Sequence, residues 1–287
     1  MPYIYCMDYS SLIALSNAEF LSFREKYLLL NEYGTAESIF MASYKDLCER
    51  TKLNLFKIDK LIRIEPIKES QLELESTGIK LCSIFEKEYP RQLLNIYSPP
   101  IMLYYKGKLP EQSCISIVGS RRTTTSGRQN AFASAELLAG LGYCIVSGMA
   151  RGIDSCVHLG ALEKGMTAAI LGNGLNICYP PENKFLMKCI EDNGCLISEF
   201  SPDKKPNRYT FPARNRIISG LSEAVIVVEA AKKSGSLITA DFALEQGKDV
   251  LVFVNKESEL SEGTDSLISE GAYPLENVSV LKDIYGS

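Results

Sequence analysis

The chain has 287 residues, 46 % of them apolar, and a formal charge of −4. That is enough apolar material for one large domain or two ordinary ones, and too little positive charge for a protein basic over its whole surface. Nine cysteines without a C-x-x-C pair, a single histidine, no run near about 18 apolar residues and no secretory leader point to a cytoplasmic protein with no metal, cofactor or membrane span.

Residues 1–77 read as a small all-helical domain. Leu12, Ile13 and Leu15, then Phe20, Phe23, Tyr27, Leu28, Leu30 and Tyr33, recur at three- and four-residue spacings. Gly34 follows the second run and suits a helix C-cap. A further amphipathic stretch runs from Leu53 to Ile67, where Pro66 ends or kinks it. Charges here are mixed and no Gly-rich helix-hairpin-helix signature occurs, so no DNA contact is assigned to this part. Residues 78–113 hold two strand-like runs, Gly78–Cys82 and Ile101–Tyr105, which read as edge strands added to the following domain.

From Cys114 onward the alternation is regular. Strand-like runs at 114–118, 143–147, 167–171, 195–198, 224–228 and 249–254 are separated by helical patterns, one of them from about Gly127 to Leu141. Short apolar strands alternating with helices predict an α/β fold with a parallel sheet covered on both faces. Right-handed crossovers then bring the C-terminal end of every strand to one edge.

Five loops collect on that edge. They are Gly119-Ser120-Arg121-Arg122, Ser147 to Asp154, Gly172 to Asn176, Glu199 to Arg216, and Lys232 to Ser236. The fourth sets Lys204, Lys205, Arg208, Arg214 and Arg216 against Glu199 and Asp203, a formal +3. Glycines permit close backbone approach, and serine hydroxyls with free N–H groups at helix starts suit phosphate oxygens. Phe211, close to several basic side chains, can stack a base while arginines hold phosphates; as a core residue it would simply pack beneath a helix opened by Pro212. Asp154 reads as a helix N-cap and His158 as a packing residue. No Walker sequence and no Gly-x-Ser-x-Gly elbow occurs, and the dinucleotide pattern begun at Gly172-Asn173-Gly174 meets Ile177 at its third glycine position.

These motifs in this order resemble the DNA-processing protein A (DprA/Smf) family of bacteria. The resemblance rests on Val118-Gly119-Ser120-Arg121-Arg122, Ser147 to Asp154 with His158, and Gly172 to Leu175 with Tyr179-Pro180-Pro181-Glu182-Asn183. It continues through Ser198-Glu199, Phe211 to Ser222, Val228-Glu229-Ala230, Ser234 to Ala240, Gly263 and Gly271-Ala272, and so covers about residues 85–275. It implies an extended Rossmann-like domain over residues 78–287 preceded by a sterile-alpha-motif-like helical domain. It also implies a homodimer that binds and shields single-stranded DNA and helps load the RecA recombinase during natural transformation, without being an enzyme. Many members carry a further winged-helix domain; a sequence ending at Ser287 is expected to lack it.

Family DNA contacts carry over to Arg121, Arg208 and Phe211. Ser147, Gly148, Arg214, Arg216, Ser234, Gly235 and Ser236 are added on electrostatic grounds, and Arg122 and Asn215 complete the candidate set. Two other readings stay open. The same fold supports nucleoside-phosphate N-glycosidases with a Pro-Gly-Gly-x-Gly-Thr-x-x-Glu loop; the comparable stretch here, Ser234 to Asp241, has fewer glycines and a shorter acid, which disfavours a hydrolase but leaves room for a mononucleotide pocket. The edge could instead serve a protein partner in a pure assembly factor.

Overall fold

A computed structural model describes residues 9–66, 74, 76–254 and 261–286. Short helices open the chain: α1 (Tyr9–Ser16), α2 (Phe23–Tyr33), α3 (Ala36–Met41), α4 (Tyr44–Arg50) and α5 (Leu55–Leu61). None is long enough to be stable alone, and local caps fix where the last four begin. Ser22 and Glu25 form a capping box on α2, and Thr35, Ser43 and Asn54 cap α3, α4 and α5. Gly34 closes α2 at φ +79° with its N–H on Leu30 O, as its position suggests. The helix expected from Leu53 starts two residues later because Asn54 caps it, and it stops at Leu61; Ile67 lies outside the described residues.

Among the described residues nine strands form one sheet in the order β1-β2-β6-β5-β4-β3-β7-β8-β9. β1 (Lys80–Ser83) and β2 (Met102–Gly107) are the added edge, with β2 antiparallel to β1 on one side and to β6 (Cys195–Ser198) on the other. The rest are parallel: β3 (Cys114–Val118), β4 (Cys144–Ser147), β5 (Thr167–Ile170), β7 (Ala224–Val227), β8 (Asp249–Phe253) and β9 (Tyr273–Leu275). Their alternation sorts the core onto two faces. Ile115, Ile117, Ile145, Ile226, Leu251 and Phe253 pack beneath α6 (Thr125–Gly140), α7 (Ile153–Leu162) and α12 (Ser279–Tyr285). Cys144, Val146, Val225, Val227, Val250 and Val252 belong to the other face, beneath α9 (Thr210–Leu221) and α10 (Gly235–Glu245). Two further helices, α8 (Lys184–Asn193) and α11 (Glu262–Ser269), complete the cover.

The opening helices do not stand apart from the sheet. Leu12, Leu15, Ile39, Leu47 and Ile58 share one apolar cluster with Met102, Tyr104 and Ile197 of β2 and β6. Tyr9 donates a hydrogen bond to Glu86 at 2.6 Å across the same junction. No helix among the described residues is long and apolar enough to cross a membrane.

Candidate nucleic-acid interface

The loop leaving β3 is held from below by one buried carboxylate. Glu229, just beyond β7, accepts from Thr123 Oγ1 at 2.7 Å, Thr124 N at 3.1 Å and Thr124 Oγ1 at 2.5 Å. Its carbonyl accepts from Ser120 N at 2.8 Å. Thr124 in turn caps α6, and a side chain at Gly127 would collide with the carboxylate. Arg121 and Arg122 therefore sit on a pinned backbone with their side chains exposed.

The loop leaving β4 is held by buried polar groups. Asp154 Oδ2 accepts from Ala150 N at 3.2 Å and lies against Gly148, where any Cβ would strike it or the Arg214 guanidinium. Burial raises the Asp154 carboxyl, and the charges of Arg214 and Arg121 act the other way. Burial lowers Arg214 to about 10, with Asp154 as its main compensation. His158, fully buried, is pushed down to about 4 by desolvation and is neutral at pH 7. The Gly148 carbonyl can only accept, so His158 Nε2 donates to it at 2.5 Å, and Nδ1 lies 2.7 Å from the Thr167 hydroxyl, which also donates to Ile145 O at 2.7 Å. Asn183 supports the same loop through Met149 O at 3.0 Å.

Above these groups opens a hollow of about 600 Å3 between the ends of β3, β4 and β7 and the starts of α9 and α10. Arg121, Arg122, Phe211, Arg214, Lys233 and Ser234 all line it. The Arg121 guanidinium carbon lies 5.5 Å from the Phe211 ring centroid, and the Tyr179 ring lies 5.6 Å from Phe211, tilted by 39°. Phe211 occupies the space left at Gly172, whose added Cβ would come within 2.7 Å of the ring. Ser234 caps α10, so the free N–H groups of that helix face the same opening. Among the described residues, Arg121, Arg122, Lys232 and Lys233 make no ion pair.

The other expected contacts have structural partners: Arg214, Asn215, Gly235 and Ser236 still line the hollow, and Ser147, Arg208 and Arg216 do not. Ser147 is buried and its hydroxyl donates to Ile117 O at 2.7 Å; it ties β4 to β3 and faces no ligand. Gly148 is buried as well and serves as the seat for Asp154 and Arg214. Arg214 reaches the hollow's floor, donating to Ile170 O. Asn215 donates to Gly235 O at 3.1 Å, which ties the start of α10 to α9, and Ser236 is buried behind Ser234. Arg216 turns away altogether and forms a two-point pair with Glu199 at 2.6 and 2.8 Å. Arg208 is exposed at the start of α9, folded over the Tyr209 ring at 4.7 Å. Asp154 is not the N-cap of α7, a position held by Gly152 with φ +78°. Pro212 is not the first residue of α9 but the third, still within the turn whose N–H groups need no helical partner.

The fourth loop's formal +3 is thus smaller at the hollow: Arg216 pairs with Glu199, Lys204 pairs with Glu19, and Arg214 is buried beside Asp154. Sequence reasoning passed over Glu229, Tyr179 and Asn183, although all three lie in the quoted motifs. A carboxylate next to an apolar strand end was the available signal for Glu229.

Cation-bearing and glycine-rich loops around one aromatic ring, at the C-terminal edge of a parallel sheet, define a Rossmann-like protein built for a phosphate-bearing ligand. The chain belongs to the DNA recombination-mediator protein A family, which it matches over residues 80–285. The DNA processing protein DprA of Streptococcus pneumoniae is 40 % identical over 212 residues, covering 72 % of this chain and 74 % of that one. The crystal structure of the Streptococcus pneumoniae DprA protein superposes with a TM-score of 0.83 at 31 % identity, covering 96 % of this chain and 97 % of that one. A DprA structure from Helicobacter pylori, described for its single-stranded DNA binding mode, superposes with a TM-score of 0.64 at 31 % identity, over 71 % of this chain and 96 % of that one.

Proposed function

We propose that this chain binds single-stranded DNA without sequence preference in the hollow around Phe211, as a recombination mediator that shields the strand during transformation. The observation that carries the reading is the unpaired Arg121 guanidinium 5.5 Å from the Phe211 ring. A base can stack on the ring while Arg121, Arg122, Lys233 and the free N–H groups of α10 meet phosphates. Arg208 extends this set at the rim. The neighbouring Helicobacter pylori protein, with its single-stranded DNA binding mode, supports the same ligand.

We read the protein as a binder and not a catalyst. Asp154 and His158, the acid and the imidazole beneath the hollow, are buried and already occupied by Ala150 N and Gly148 O. Handing the strand to the RecA recombinase, acting as a homodimer through the sheet domain, working in the cytoplasm and dividing at residues 77/78 belong to the same reading. The test is fluorescence anisotropy with a labelled oligothymidine in a salt titration. Arg121→Ala and Phe211→Ala weaken binding to all sequences alike, and only the first lowers the salt slope. Unchanged affinity in both variants removes the hollow as the binding site.

A further inference from the structure

A second cleft lies on the other side of the first turn of α9, between it and the opening helices. Its walls include Phe23 and Lys26 of α2, Lys204, Asn207 and Tyr209. Tyr209 is 68 % exposed, carries the Arg208 guanidinium over its ring, and is separated from Phe211 by one residue. One ring therefore borders the hollow and the other borders the cleft. Farther along, Phe20 lies between two residues of the cleft wall, Glu19 and Leu21. The Lys60 ammonium is 5.6 Å from the Phe20 ring and 4.4 Å from the Phe56 ring, and Phe56 is 64 % exposed. Lys60 makes no ion pair among the described residues.

A cation near an aromatic ring thus recurs in three places, at the hollow, at the edge of the cleft and on the opening helices beside it: Arg121 with Phe211, Arg208 with Tyr209, and Lys60 with Phe20 and Phe56. That repeat is what a sequence-tolerant single-strand track requires, a ring for each stacked base and a charge for the adjoining phosphate. Arg50 over Tyr33 lacks this freedom, because it is tied to Glu32.

We propose that a strand held in the hollow continues across Tyr209 and into the cleft, so that the opening helices supply a second length of the single-stranded DNA track. This rests on the function proposed above and adds its extent. The cleft also holds a largely buried cation: burial lowers Lys26 to about 8 against the charges of Glu199 and Glu19, and its ammonium donates to Ser16 O at 2.5 Å. A phosphate arriving there adds a further counter-charge to this ammonium.

The experiment compares a labelled oligothymidine of about 6 nucleotides, enough for the hollow, with one of about 20. Wild-type protein binds the longer probe more tightly than its greater number of registers explains. Tyr209→Ala and Lys60→Gln leave the short probe unchanged and weaken the long one about 3- to 10-fold each. Tyr209→Phe, which keeps the ring, retains wild-type affinity and controls for folding. Equal affinities of wild type, Tyr209→Ala and Lys60→Gln for the long probe overturn the track while leaving the hollow intact. Failure of the wild-type protein to bind either probe, or indifference to Arg121→Ala, overturns the hollow and the track together.

Discussion

The hollow and the cleft lie on either side of the same helical turn and draw on the same basic loop, yet they treat charge in opposite ways. At the hollow, Arg121, Arg122 and Lys233 are exposed or lining and without ion pairs, while carboxylates lie beneath the loops as struts. At the cleft, Arg216 is locked to Glu199 and Lys204 to Glu19. A count of basic residues does not distinguish the two; the pairing does. Free cations release counterions when they meet a polyanion, whereas paired ones must first give up a partner.

Arg216 gives the widest separation. Its side chain is 14 % exposed and that of Glu199 is 16 %, so removing the arginine strands a largely buried carboxylate. Arg216→Ala is expected to cost about 3 kcal/mol in urea unfolding and to leave the salt slope for a short oligonucleotide unchanged. A lower slope with little loss of stability would place Arg216 among the phosphate contacts after all.

The floor of the hollow carries the next effect. His158 titrates near 6.5 when unfolded and near 4 when folded, so between those values the unfolded chain binds a proton that the folded one refuses. Stability is therefore complete above about pH 6.5 and falls as pH drops toward 4, by up to about 3 kcal/mol. The charged group facing His158 is Arg214, which disfavours the imidazolium further, while Asp154, raised by burial, contributes the opposite slope as it takes up its proton. His158 is the chain's one histidine, so the part of the stability change between pH 6.5 and 5 that a His158 variant loses is its own. His158→Gln should flatten that interval at the cost of a lower plateau.

Much of this was open to a reading of the residues, and the boundary is physical. Strands of four or five apolar residues announce a sheet buried on both faces, and crossover handedness gathers Arg121 and Phe211 at one edge. β9 escaped because Tyr273-Pro274-Leu275 is short and exposes two of its three residues. Arg214 and Arg216 looked equivalent, but two residues along a helix turn a side chain through about 200°, one toward the hollow and the other toward Glu199. Ser147 was misjudged because the last residue of a strand can spend its hydroxyl on the neighbouring strand. Lys204 meets Glu19, 185 positions away, a pairing no local pattern carries.

Arg121→Ala supplies the converse of Arg216→Ala. The side chain is exposed and unpaired, so stability should change by less than about 0.5 kcal/mol. Affinity should fall about 10-fold at low salt, with the slope reduced by about 0.7 for one lost phosphate on a single strand. Equal loss at every salt concentration would mean that Arg121 acts by shaping Phe211 and not through charge.

The smallest effect is the one that tests whether pairing sets the difference between the two regions. Glu19 is 70 % exposed and binds Lys204, whose side chain is 30 % exposed. Such a pair stabilises a fold by less than about 1 kcal/mol, so Glu19→Gln should barely move the unfolding midpoint. It frees a cation on the cleft wall and removes an anion beside it. Binding of a long oligonucleotide should tighten about 2-fold, with a steeper salt slope, while a short one confined to the hollow is indifferent. Should the long probe bind no better, pairing with Glu19 is not what keeps Lys204 from the strand. The contrast would then lie in the shape of the cleft.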